Sequence, residues 1–190
     1  MTTDKKLRTF IVHVEDLPGV LNRVTSLFRR RGYNIESLAV GRTEIDGISR
    51  VTLVMEADDD GARRIEANLY KLVNVLRVED TTRRATVARE LALVKVRADA
   101  ATRPHVMQVC EVFRARVIDV GPGALIAEIT GTADKIDGLV DVLSPFGIVE
   151  MVRTGAVAMV RSAATAERAE RASGTELLSV VAGEPATDAA

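Results

Sequence analysis

Two tandem βαββαβ modules of the ferredoxin-like, α+β class are what this sequence predicts, followed by a polar tail. Three observations lead there. Residues 7–80 run strand, helix, hairpin, helix, strand. Residues 90–161 repeat that order with little identity to the first run. A chain of 190 residues with 47% hydrophobic residues can fill two small cores, and its single Cys allows no internal disulfide.

The first module opens on residues 8–15, where Phe10, Val12 and Val14 alternate with Thr9, Ile11 and His13, the period of a strand. Asp16-Leu17-Pro18-Gly19 then turns the chain, with Pro18 preset for a turn or a first helical position. A helix is expected over residues 19–31, since Val20, Leu21, Val24, Leu27 and Phe28 share a face and Gly32 suits a left-handed end. A second strand is expected over 34–43. The turn Glu44-Ile45-Asp46-Gly47 leads to a third over 48–56, with Val51, Leu53 and Met55 on one side. Asp58-Asp59-Asp60 supplies capping oxygens and favourable charge to a second helix with an Ile65, Leu69, Leu72 stripe. Residues 75–80 close the module.

Residues 81–89 read as a polar linker. The second module follows with a strand over 90–97 and a helix over 103–113 carrying Val106, Val109, Cys110 and Phe113 on one side. Strands over 116–120 and 124–130 flank Gly121-Pro122-Gly123, a hairpin signal. Thr132 caps a helix bearing Ile136, Leu139, Val140 and Leu143, which Ser144-Pro145-Phe146-Gly147 stops before a last strand over 148–153. Residues 162–190 turn to Ala, Thr, Glu, Arg and Gly, the composition of a disordered tail, with a short docking element at Leu177, Leu178, Val180 and Val181 as the alternative reading.

Composition narrows the function. A net charge of -1 gives no reason to expect nucleic acid or an acidic membrane as partner, and 3% aromatics without Trp argues against a base-stacking platform. The polar start lacks a signal core and no apolar run is long enough to span a bilayer, so a cytoplasmic protein is expected. Chemistry-bearing motifs are missing too: no G-x-G-x-x-G after a strand, no phosphate loop, no Cys or His pair at metal spacing. His13 and His105 lie far apart in sequence, Cys110 sits on an apolar stripe, and helix capping explains the three aspartates more simply than a metal does. Arg29, Arg30 and Arg31 fall in the last helical turn, where cations favour the dipole, with partner contact as the other reading. What is left is the helix start itself. Backbone N–H groups there, with Gly19 permitting close approach, suit a carboxylate, and Asn34 is read as a further donor and acceptor nearby. An ordinary strand-to-helix turn is the alternative.

Residues 16–21 (DLPGVL) followed by residues 31–37 (RGYNIES) resemble the N-terminal ACT domain of the small, regulatory subunit of acetolactate synthase (acetohydroxyacid synthase). Residues 70–78 (YKLVNVLRV) and 90–96 (ELALVKV) resemble the same family, and the resemblance spans residues 7–161. It implies an ACT domain over 7–80 and, over 90–161, the C-terminal ferredoxin-like domain found in these small subunits. It implies no catalysis in this chain and no cofactor of its own. The partner would be a large, catalytic subunit that holds thiamine diphosphate, Mg2+ and FAD, and which the small subunit activates and makes sensitive to L-valine. Carried onto this sequence, the effector site uses Asp16, Pro18, Gly19, Val20 and Leu21 with Asn34 and Ile35, at the junction of a homodimer. The family often has Asn where this chain has Asp16; the carboxylate would attract an effector's ammonium and repel its carboxylate. A stand-alone ACT-domain sensor acting on another enzyme or on transcription is the alternative, although no helix-turn-helix with a basic face is visible.

Overall fold

Alternating apolar residues draw Lys6–Glu15 into strand β1, whose Phe10, Val12 and Val14 point into a core while Thr9 and His13 face the other way. The structure, a computed structural model, describes residues 5–162. From β1 the chain passes into helix α1 (Val20–Arg31), strand β2 (Ser37–Arg42), strand β3 (Ile48–Ala57), helix α2 (Asp59–Leu69) and strand β4 (Val75–Asp80). The antiparallel sheet has the order β2-β3-β1-β4, the ferredoxin-like arrangement, with β2 at one edge and β4 at the other. Val24 and Phe28 of α1, and Ile65 and Leu69 of α2, are fully buried against Phe10, Leu53 and Met55 of the central strands.

The helix ends follow from single residues. Asp58 caps α2 by accepting from the Gly61 N–H at 2.6 Å. At the exit of α1, Gly32 adopts φ 69°; its N–H bonds to the Arg29 carbonyl at 3.2 Å and that of Tyr33 to Phe28 at 3.1 Å. This is a Schellman closure, and the Tyr33 ring completes it by meeting Phe28 edge-on with centroids 6.4 Å apart. The closure also explains why β2 starts at Ser37 rather than at residue 34: Tyr33 is held back against the helix, and pairing with β3 begins only beyond it.

The second module repeats the pattern with strand β5 (Thr86–Arg97), helix α3 (Arg103–Val112), strands β6 (Arg116–Val120) and β7 (Ala124–Gly131), helix α4 (Ala133–Leu143) and strand β8 (Ile148–Arg153). Its sheet has the order β6-β7-β5-β8. Ala92, Val94, Val96, Leu125, Ala127 and Ile129 pack on Val106, Cys110, Ile136 and Leu139. Thr132 caps α4, its hydroxyl accepting from the Lys135 N–H. Two features depart from the sequence reading. Strand β5 begins at Thr86, inside the segment read as linker, and a further strand, β9 (Val157–Val160), pairs with β5. The described residues divide into two compact units, Ala88–Val157 and the remainder, so residues 158–162 belong with the first. There the Arg161 N–H bonds to the Ala85 carbonyl at 2.8 Å and the Arg50 guanidinium to that of Ala158. The expected disordered tail, with its element around Leu177 and Val181, lies beyond residue 162, outside the described residues.

On the sheet face away from the helices, Ile11 and Thr52 are nonetheless buried, and His13 sits beside them, level with Arg50 on β3 and Arg77 on β4. Burial first, then these two guanidiniums, hold the His13 imidazole below its usual 6.5, against weaker pulls from Glu79 and Glu44. Its Nδ1 is buried without a hydrogen-bond partner among the described residues. The unfolded chain therefore takes up a proton that the folded one refuses, so stability present above pH 6.5 falls as the pH drops below it. Denaturant midpoints should decline between pH 7.5 and 5, and His13→Gln should flatten that decline.

Candidate functional site

The turn between β1 and α1 is built from short bonds. The Asp16 N–H reaches the Gly47 carbonyl at 2.8 Å, that of Leu17 reaches Glu15 at 3.0 Å, and that of Val20 reaches Leu17 at 3.3 Å. Pro18 fills a position that needs no donor, and Gly19 caps the helix with φ 83°, a conformation open to glycine. No side chain caps this end. Among the described residues, the N–H groups of Gly19, Leu21 and Asn22 have no hydrogen-bond partner, and all three residues are exposed. A Cβ placed on Gly19 would meet nothing within 4 Å, so the approach to these donors is open. With the positive end of the helix dipole behind them, they can receive a carboxylate. The Asp16 carboxylate stands beside them, 3.6 Å from Nε of Arg42 in a pair with both side chains exposed, and so weakly held.

Not every residue expected at this site gathers here. Asp16, Pro18, Gly19, Val20 and Leu21 share one corner, with Val20 buried beneath it and Leu17 and Leu21 exposed. Asn34 and Ile35 do not join them. They follow the other end of α1, whose 12 residues at about 1.5 Å each separate the two groups by about 18 Å. Asn34 is exposed and donates from Nδ2 to the Glu36 carboxylate at 2.6 Å. The sheet register agrees: Ser37 lies opposite Val54, which also faces Thr9 near the start of β1, whereas Arg42 lies opposite Ser49, which faces Val14 near its end. The reading of Asn34 as a neighbour of the turn is therefore corrected for a single protomer.

Two polar residues of the first unit were missed by sequence reasoning. Asn74, buried just before β4, accepts the Glu15 N–H on its carbonyl at 3.0 Å, donates from its side chain to the Glu15 carboxylate and accepts from Arg23. Arg8, 4% exposed in β1, pairs with Asp59 and, at 3.7 Å, with Asp80, and donates to the Ala57 carbonyl at 3.3 Å. The hydrogen bond from Arg8 to the Asp59 carboxylate, helped by Arg83, lowers the Asp59 pKa. Asp58 caps α2, and Asp60 pairs with Arg63, so each member of the acidic run has a local partner.

Other candidates resolve into structure. Cys110 is buried in the second core, and burial pushes its thiol up, away from nucleophilic character. Arg29, Arg30 and Arg31 line the exposed last turn of α1, with Arg30 donating to the Ser26 carbonyl at 3.4 Å and Arg31 to the Asn68 side chain at 3.3 Å. Among the described residues no group of three or more His, Cys, Asp or Glu could hold a metal, and no helix is long and apolar enough to cross a membrane.

Comparison with known proteins places both modules. Residues 10–77 match the family model described as the AHAS small subunit-like ACT domain, and residues 89–162 match that described as the small subunit of acetolactate synthase. The chain is 49% identical over 153 residues to the acetolactate synthase small subunit of Mycobacterium leprae, covering 80% of this chain and 90% of that one. It is 46% identical over 153 residues to a probable acetolactate synthase small subunit of Archaeoglobus fulgidus, covering 80% and 96%. The crystal structure of the acetolactate synthase small subunit from Thermotoga maritima superposes with a TM-score of 0.77 at 38% identity, over 82% of this chain and 98% of that one. With both modules matched and identities of this size across most of its length, the chain belongs to the family of acetolactate synthase small subunits.

Proposed function

We propose that this chain is the non-catalytic regulatory subunit that binds and activates an acetolactate synthase large subunit in the cytoplasm and makes it sensitive to L-valine. In this reading the chemistry, with thiamine diphosphate, Mg2+ and FAD, belongs to the large subunit, and the small chain contributes binding alone. One observation carries the effector half of the reading. The unpartnered N–H groups of Gly19, Leu21 and Asn22 lie at one end of the β2 side of the first sheet, and Asn34 lies at the other. If two copies pair antiparallel along their β2 edges, the Asn34 end of each meets the Gly19 end of its mate, and two complete sites arise from one two-fold contact. Pairing there would also cover an edge strand that is otherwise an aggregation risk.

At such a junction the helix start takes the effector's carboxylate, and Asp16 or a carbonyl takes its ammonium. Apolar side chains already stand exposed for the branched side chain: Leu21 on α1 and Val40 on β2, which pairs with buried Val51 and so faces the helix side. Apolar walls distinguish side chains differing by one methylene by only about 1–3 kcal/mol, so leucine and isoleucine should act as weaker effectors. Coupling between this junction and the catalytic partner would be of the ordinary size for allostery, about 1–3 kcal/mol. The exposed Arg29, Arg30 and Arg31 corner is assigned to contact with the large subunit, which Arg30→Glu in a pull-down would test.

The experiment is to mix the purified chain with its large subunit and measure acetolactate formation with and without L-valine. Activation by the small chain followed by inhibition with valine is the expected result. Absence of activation would remove the regulatory reading. Activation that valine leaves unchanged would remove the effector site.

A further inference from the structure

We infer that Asn74 is the positioning residue for the effector turn, acting through Glu15 and Arg23 and touching no ligand itself. This rests on the proposal that the start of α1 is the effector site. Glu15 is the last residue of β1 and Arg23 lies in the first turn of α1, so the two bracket the whole turn of residues 16–22. Asn74 joins them. Its backbone carbonyl accepts the Glu15 N–H at 3.0 Å, its amide nitrogen donates to the Glu15 carboxylate, and its amide oxygen accepts from the Arg23 guanidinium. A side-chain amide is the group this place needs, because it offers a donor to an anion on one side and an acceptor to a cation on the other.

The location makes the link specific. Asn74 is 8% exposed, in the stretch before β4, and the β1–β4 ladder shifts register between His13 and Val14, so regular pairing ends where the clamp begins. The turn is therefore fixed to the body of the unit by this side chain together with the Asp16 to Gly47 backbone bond. Free amides at a helix start bind a carboxylate well only when they converge on one point, and convergence depends on the angle at which α1 leaves β1. Loosening the Glu15–Asn74–Arg23 clamp would blur that angle while leaving the apolar core, which fixes the fold, in place.

The test uses the assembled enzyme and L-valine, comparing wild type with Asn74→Ala, Glu15→Leu, Glu15→Gln and Arg23→Met. Asn74→Ala, Glu15→Leu and Arg23→Met should each raise the valine concentration for half-inhibition at least about tenfold while maximal activation of the large subunit stays at the wild-type level, a loss of about 1.4 kcal/mol in effector binding. Glu15→Gln keeps an acceptor for the Asn74 amide and should respond as wild type does. Arg23 is exposed, so its replacement leaves the fold intact and serves should the buried variant fail to assemble. Wild-type valine response in Arg23→Met and Glu15→Leu would overturn the inference. So would parallel loss of activation and inhibition in both, which marks a purely structural role. A wild-type enzyme indifferent to valine would instead defeat the effector site on which the inference rests.

Discussion

Gly19→Asp should weaken the valine response of the assembled enzyme strongly while activation persists. The backbone at Gly19 holds φ 83°, and a Cβ there meets nothing within 4 Å, so steric crowding is not the obstacle. Conformation costs about 1–2 kcal/mol for most side chains, but Asp and Asn are among those that visit the left-handed region. Charge decides the outcome. A carboxylate on Gly19 competes with the effector's own carboxylate for the N–H groups of Leu21 and Asn22 and repels it, by about 1 kcal/mol in bulk water and about 4 kcal/mol at a protein surface for a 4 Å separation. Weakening of about tenfold or more is expected from inhibition curves. Gly19→Asn, equal in size and uncharged, should lose much less, and equal losses in the two variants would assign the effect to the backbone instead.

Phe28→Ala should give the largest loss of stability, about 3–5 kcal/mol, read from chemical denaturation of the isolated chain. Phe28 is fully buried against the sheet, supplies the carbonyl that closes the Schellman motif, and presents its ring to Tyr33. Truncation therefore opens a cavity and loosens the exit of α1 together. Because α1 carries the amides of the proposed effector site at its other end, valine inhibition should weaken in the same variant. Phe113→Ala, at the second unit's core, is the comparison: it should cost stability there and leave valine inhibition unchanged.

Much of this molecule is legible in local pattern. The alternation in β1, the stripe of Val20, Val24 and Phe28, the Gly32 exit, and the Asp58 and Thr132 caps all act over three or four residues, and the structure repeats them closely. What escaped notice depends on distance in the chain. Asn74 reads as a loop residue until Glu15 and Arg23, 59 and 51 positions away, close around it. Arg8 reads as a polar strand residue until Asp59 and Asp80 arrive to neutralise it. Strand β9 has no local hairpin partner, since it pairs with β5 far upstream. The candidate site divides in the same way. Its turn was visible because Pro18 and Gly19 announce a turn, whereas the separation of Asn34 from that turn follows from the length and direction of α1, which only the three-dimensional fold supplies.

Backbone amide NMR of the 15N-labelled chain, titrated with L-valine alone and in the presence of the large subunit, tests the central claim most directly. Saturable shifts concentrated at Gly19, Val20, Leu21 and Asn22, with matching shifts at Asn34 from the opposing copy, are the result this account requires. Saturable shifts confined to other residues, or none under either condition, would contradict it.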